Sequence, residues 1–538
     1  MLNAGWLQDI VLRLPLKLSR MKHAAFFGCL SSFFFCSQAQ VVSTELSKEG
    51  VETNEPCITI DPLYPATQFL GSNNNLLFVS QDGGFNWSPK TSDPPEGFYG
   101  DPVVKISRNG TFYLCHLAKN KSEKWPAQFD RIVFERSTDD GQTFSSTGVG
   151  HNPGKVQDKP WVFVDEGRKS AYRDRIYLSW TEFDAYGSKS ALDSSRIRVA
   201  WSENGGVSFE TPVVISDTAG DAADDDFTLE GATLAAGKQG TLFAVWAGKN
   251  AIWFDKSLDG GKTWGKDRII ARQDGGWNQE IKGLYRANSM PFIAADTKGG
   301  LYVIWGDARH GDLDVFYMYS ADMGATWTVP TRVNSDAKGN GRDQYMPSIT
   351  VDAKSGIVYA MFYDRRNSEN NLFTDVYACT LKKEKVGPNI RLTNESFCVP
   401  SSKLFFGDYI SIAVAKGAVR GAYTIWDNEK LIVTVRVAML DEKIFKKQKN
   451  MAGSISLQVA QLVDSSQMLI HFNLPEAKSC TLELFRGNQL SYKQLFDPLM
   501  QSENEVLLDE SKFASGVYKL VFSFKGRKIE QDIYIEKR

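Results

Sequence analysis

The octapeptide at residues 257–264, SLDGGKTW, is written in related form five times, and that repetition constrains the fold more than any other feature. The other copies are SQDGGFNW (80–87), STDDGQTF (137–144), SENGGVSF (202–209) and SADMGATW (320–327). Self-similarity spaced by tens of residues marks a repeat architecture. Each copy follows a β-rich run, such as AIWFD at 251–255, so each predicts a turn between two strands. The residue types suit that turn. An Asp or Asn side chain accepts from backbone N–H groups further along, glycine supplies positive φ, and the closing Trp or Phe brings a large apolar face to the next strand.

A second pattern repeats between these turns. Each unit opens with a short apolar strand, at 57–61, 101–105, 159–165, 231–236, 290–296, 346–352 and 408–413. A strand ending in an aromatic follows, as in LYVIW at 301–305, and a third leads into the octapeptide. Seven openings at spacings of about 40–65 residues predict four-stranded blades arranged radially. Units six and seven lack the octapeptide. The seventh, 408–440, supplies three strands, and the polar stretch before Pro56 is expected to add the fourth and close the ring.

These octapeptides resemble the Asp-box, or BNR repeat, of sialidases and related β-propellers, over roughly residues 50 to 445. The resemblance implies an all-β, sialidase-like propeller. Sialidases of this superfamily have six blades. Here the ring has either seven, the favoured count, or six with the first and last units sharing one. The resemblance also makes the box a fold-stabilising turn remote from the active site, so Asp82, Asp139, Asn204, Asp259 and Asp322 are expected to be structural.

Four segments are expected. Residues 1–40 hold a secretory signal, with MKHAAFFGCLSSFFFCSQAQ at 21–40 giving a basic start, an apolar run and a small-x-small cleavage site; Met21 is a candidate start. That run is too short to span a bilayer as a lone helix, so no transmembrane span is expected in the mature protein. Residues 41–54 form a linker, 55–450 the propeller, and 451–538 a small β-sandwich of alternating strands. The tail, with SGVYKL at 515–520 and KGRKI at 525–529, resembles the C-terminal sorting domain of Bacteroidetes type IX secretion substrates. A formal net charge of −2 argues against nucleic acid as a partner. Cys57, Cys115, Cys379, Cys398 and Cys480 remain after signal removal, enough for one unassigned bridge but with no zinc spacing. No cofactor is expected; the acidic run 224–226 reads as a solvated loop, with a structural calcium ion as the alternative.

If the box joins the third and fourth strands, the opposite face carries the loops entering each first strand and leaving each second strand. Acids, arginines and tyrosines recur there: Asp101, Asp158, Glu230, Arg286, Arg342, Tyr345, Asp408 and Tyr409 at entries, and Asp307, Arg309, Asp364 and Arg365 at exits. Sialidases grip the substrate carboxylate with three arginines, use a Tyr–Glu pair as nucleophile and an Asp as acid. The resemblance therefore implies a glycan-directed, exported protein, a glycoside hydrolase of exo-sialidase type. Arg286, Arg342 and Arg365 would bind an acidic sugar, since guanidinium forks a carboxylate. Tyr409 with Glu230 would be nucleophile and activator, and Asp101 or Asp158 the acid. Asp307, Arg309, Asp364, Tyr345 and Asp408 would complete the substrate site. The chain departs from the family at its first entry, where Asn54-Glu55-Pro56 stands in place of Phe/Tyr-Arg-Ile-Pro. The alternative is a non-catalytic glycan- or protein-binding propeller.

Overall fold

The computed structural model describes residues 41–427, 430, 432–447, 456–461, 467–473, 479–496 and 503–535. The expected signal at 1–40 lies outside the described residues.

Seven antiparallel sheets make seven blades, six of them built on four successive strands. Blades 1 to 6 open with Cys57–Ile60, Val103–Ile106, Val156–Val164, Glu230–Ala236, Phe292–Ala295 and Gln344–Val351. Blade 7 runs Ser411–Ala415, Ala418–Asp427 and Ile432–Asp441, and its fourth strand is Val42–Leu46 from the other end of the chain. Val42 pairs with Met439 and Leu46 with Val435. The stretch read as a linker therefore holds the strand that latches the ring.

Alternation is absent in the inner strands because both faces are covered. Cys57–Ile60 and Leu301–Asp307 are buried at every residue, while the outer strand Ser88–Lys90 is mostly exposed. Neighbouring blades are stitched by hydroxyls on their first strands. Thr59 Oγ1 accepts from Ile106 N, Thr233 Oγ1 from Ile293 N, Ser348 Oγ from Ile412 N and Ser411 Oγ from Ile58 N, each at 3.2 Å. The last of these joins blade 7 to blade 1, so the same bond that links sequential blades also closes the ring.

All five octapeptides connect third to fourth strands. In the copy at 257–264, Ser257 Oγ donates to Asp259 Oδ1 (2.8 Å) and accepts from Gly261 N (2.8 Å). Asp259 accepts from Thr263 N (2.9 Å) and Thr263 Oγ1 (2.6 Å). The glycine is required by packing as well as by φ: a Cβ on Gly324 would stand 2.3 Å from the Phe254 ring of the preceding blade. Asp259→Ala is expected to cost about 0.5–2 kcal/mol, the scale of a lost side-chain cap on backbone donors. Denaturant unfolding measures this, and any activity of the folded variant should be unchanged.

The C-terminal residues form a three-stranded and a four-stranded sheet. Their apolar faces meet in one core, with Ile470, Val506 and Leu508 from one sheet and Leu482, Leu520 and Phe522 from the other. That is a β-sandwich, and its core holds no propeller residue. All five cysteines among the described residues are free thiols, so the bridge allowed by the sequence is not formed.

Candidate functional site

Six of the seven first-strand entries carry a local backbone device. Glu55 (φ 53°), Asp101 (55°), Lys159 (49°), Gly231 (68°), Met346 (47°) and Gly407 (103°) are left-handed. Four of these are non-glycine residues directly followed by proline. A non-glycine residue in this region costs about 1 kcal/mol or more and persists where the surroundings hold it. In three blades the strand register shifts at this point. Such bulges re-aim side chains, and the one in blade 3 spans Lys159, whose ammonium reaches Asp101 of blade 2.

Lys159 is the hub. Its ammonium lies 2.8 Å from Asp408 Oδ2, 3.4 Å from Asp101 Oδ2 and 3.8 Å from Asp158 Oδ1, which draws blades 2, 3 and 7 together. Arg286, on the loop entering blade 5, forks Asp408 through Nε (2.8 Å) and Nη2, and reaches Asp224 on the loop entering blade 4 (3.3 Å). Tyr186, leaving the second strand of blade 3, donates to Asp224 at 2.5 Å. On the other side, Glu55 accepts from Asp408 N (3.0 Å) and from Asn73 Nδ2 (2.6 Å), and Asn73 Oδ1 accepts from Asp101 N (2.9 Å). The result is one polar network on the face away from the boxes.

Six carboxyls share two cations, and burial sorts their proton affinities. Burial pushes Asp158 up to about 7, against the pull of the Lys159 ammonium and with the help of Asp101 and Asp224. Burial would raise Asp408 too, but Arg286 and then Lys159 hold it down at about 2. Glu55 is raised by burial, then by Asp101 and Asp408. Glu230 is raised by burial, then by Asp158 and Asp224, with the Lys159 ammonium and the Thr181 hydroxyl pulling the other way. A neutral acid beside an ionised carboxylate is the arrangement acid–base chemistry needs.

The expected site residues divide. Asp101, Asp158, Glu230, Arg286 and Asp408 meet in this network. Tyr409 borders it, but its hydroxyl donates to the Pro102 carbonyl (3.1 Å), and burial followed by Glu55 and Asp101 raises it. The carboxyls that bear on Tyr409 are thus Glu55 and Asp101, and it makes no bond to Glu230. The tyrosine that does contact a carboxylate is Tyr186.

The expected three-arginine grip is not assembled. Arg365 is 1% exposed, and its guanidinium donates to the carbonyls of Lys282 and Asn371 (2.7 Å each) and to Thr374 Oγ1 (3.1 Å). It is spent on loop backbone. Arg342 donates to the Glu369 carbonyl, and Arg286 is taken by two aspartates. Tyr345 is buried against Thr374 (3.0 Å), and Arg365 lies over its ring. Asp307 with Arg309, and Asp364 with Arg366, form the same turn, the aspartate accepting from the backbone N–H and the guanidinium two residues on. These pairs fix strand exits. The run 224–226 is solvated only in part: Asp225 is exposed and accepts from Phe227 N (3.0 Å), whereas Asp224 turns to Tyr186 and Arg286 and Asp226 to Asn278 N (2.9 Å).

Lys159, Glu55, Asn73, Asp224 and Tyr186 were missed in the sequence. For Glu55 and Lys159 a signal existed: each precedes the proline that opens a first strand, as Asp101 does.

No family model matches the chain, and no curated protein matches it in sequence. Solved structures similar to it include the NanB sialidase from Streptococcus pneumoniae, at 10% identity over 71% of this chain and 83% of that chain, with a TM-score of 0.43. An ulvan lyase of polysaccharide lyase family PL25 is 11% identical over 73% of this chain and 94% of that one, with a TM-score of 0.43. YCF48 from Cyanidioschyzon merolae is 11% identical over 74% and 98%, with a TM-score of 0.39. The all-β propeller itself is read from the seven sheets described above.

Proposed function

We propose that the chain is a glycan-directed propeller whose channel mouth cleaves a glycosidic bond. The observation that carries the reading is the split between Asp158, pushed up to about 7, and Asp408, held at about 2, around one ammonium. Asp158 donates its proton to the leaving oxygen. Asp101, salt-bridged to the same ammonium and no more than about 7 Å from Asp158, is the opposing carboxylate: it takes a proton from the water whose oxygen bonds to the anomeric carbon as the bond to the leaving oxygen breaks. Asp408, locked by Arg286 and Lys159, positions the ammonium rather than reacting.

The excess of carboxyls over cations favours a sugar without its own carboxylate at the point of cleavage. The exo-sialidase form needs guanidinium groups that here are already bonded. A second reading rests on burial: the side chains of Asp101, Asp158 and Lys159 are 10%, 10% and 8% exposed. In that reading the network closes the axis, and the propeller binds glycan or protein without cutting.

A glycan panel read for both reducing-end release and retention separates the two. Release that disappears in Asp158→Asn supports cleavage, and retention without release supports the binder. Export belongs to the same proposal, with the sandwich as sorting domain; no helix among the described residues is long and apolar enough to cross a membrane. Deleting 452–538 should leave a folded propeller, because the two cores share no residue. The truncated protein should accumulate in the periplasm, and normal extracellular delivery would remove the sorting role.

A further inference from the structure

A cleft of about 350 Å³ lies beside the channel mouth, between blades 1 and 2, lined in part by Asn75, Ser92, Phe98, Tyr99, Lys119 and Lys121. It shares two walls with the network. Asn74 and Asn75 continue from Asn73, which bonds both Glu55 and Asp101. Tyr99 stands two residues before Asp101, and its phenol is raised by burial and then by Asp101, Asp158 and Glu55. Tyr99 is 42% exposed. A sugar chain leaving the mouth on that side would pass over its ring.

The cleft is preformed. Phe98 stacks on the buried His116 ring at 4.1 Å. His116 is held at both nitrogens, by Glu135 Oε1 (3.0 Å) and the Leu117 carbonyl (2.9 Å), and Ser92 Oγ donates to the other Glu135 oxygen. The loop carrying Phe98 packs tightly enough that a Cβ on Gly97 would stand 2.6 Å from the Lys119 carbonyl oxygen. Aromatic faces beside amide and hydroxyl groups are the composition that recognises sugars, with ring carbons on the faces and hydroxyls on the polar groups. Asn75 Oδ1 is a buried acceptor without a partner among the described residues.

Charge distinguishes this cleft from the mouth. Lys119 and Lys121 are exposed and form no ion pair among the described residues, against one carboxylate in the lining, Asp93. We infer that the cleft is a second sugar subsite that takes a saccharide residue bearing an anionic group, a uronate carboxylate or a sulfate ester. The inference rests on the glycan-directed reading of the mouth. An anionic group is repelled by the ionised carboxylates of the mouth, Asp408 among them, and drawn to the two ammonium groups, so the pair of sites would fix how a chain lies across blades 1 and 2.

Affinity electrophoresis of the full chain through dextran, dextran sulfate and polygalacturonate tests this, the two anionic polymers separating sulfate from carboxylate. Retardation is expected in at least one anionic polymer and not in dextran. Lys119→Ala with Lys121→Ala should weaken it about fivefold, as two exposed charge contacts would. Tyr99→Ala should weaken it as well, while Lys262→Ala with Lys298→Ala, on the box face, should not. Equal loss in both lysine pairs, equal retention by dextran, or no retardation at all would overturn the subsite. Failure of the mouth reading looks different: retardation would persist while the wild type cleaved no glycan.

Discussion

Lys159→Met is expected to lower stability by about 3–5 kcal/mol near neutral pH, the cost of removing one partner from a buried charge cluster. The methionine fills the stem's volume, so the loss is electrostatic: Asp101, Asp158 and Asp408 lose the ammonium they share within 3.4, 3.8 and 2.8 Å. Linkage fixes the direction with pH. In the wild type, Asp408 is held at about 2, below an ordinary aspartate, so its contribution is present above the usual carboxylate range and is lost as pH falls through about 2. Asp158 has the opposite sign. Raised to about 7, it contributes most below the ordinary range, and that contribution is lost as pH rises through about 7. Without Lys159, Asp158 is pushed higher still. The variant should therefore be least stable on the alkaline side and recover part of its stability toward about pH 5. Urea unfolding at the two pH values measures this. A variant within about 1 kcal/mol of wild type at both would show that the cluster is solvated rather than buried.

Asp158→Asn is expected to reduce cleavage of a natural glycan by about 10²- to 10⁴-fold, the range for losing a positioned general acid. The amide keeps the shape and the backbone bond at Lys159 N, where Asp158 Oδ1 now accepts at 2.8 Å, so the fold should persist. The loss should depend on the leaving group. A dinitrophenyl glycoside departs without protonation and should be cleaved by the variant at close to the wild-type rate. Equal losses on both substrates would point to positioning rather than proton donation.

The parts of this structure that were legible in the sequence are those whose causes are local. The box is a hydrogen-bonded unit completed within eight residues, and each side chain it needs is written in order. The shortage of a fourth strand in the last unit pointed to the polar stretch before Pro56, and 42–46 is the strand it supplies, so that one blade joins both ends of the chain. The site was legible only in part. Its entry positions could be located from the repeat, and five of the expected residues meet there. Their partners could not be read, since Asp408 N bonds to Glu55 across 353 residues and Lys159 to Asp101 across 58. Nor does an arginine in a loop declare its acceptor. Arg342 and Arg286 both stand at entries in the pattern, yet one serves a carbonyl and the other aspartates. Asp224 was misread because an acidic run resembles solvent-facing sequence until Tyr186 and Arg286 arrive from two other loops.

The central claim is that Asp158 acts as an acid at the channel mouth. The most direct test is the pH dependence of kcat/KM, measured with the best glycan from the panel and with its dinitrophenyl glycoside. A general acid must be protonated, so glycan cleavage should fall as pH rises through about 7, the value at which Asp158 gives up its proton. The dinitrophenyl glycoside should show no such alkaline limb. An alkaline limb of the same size and position on both substrates, or none on either, would contradict the assignment.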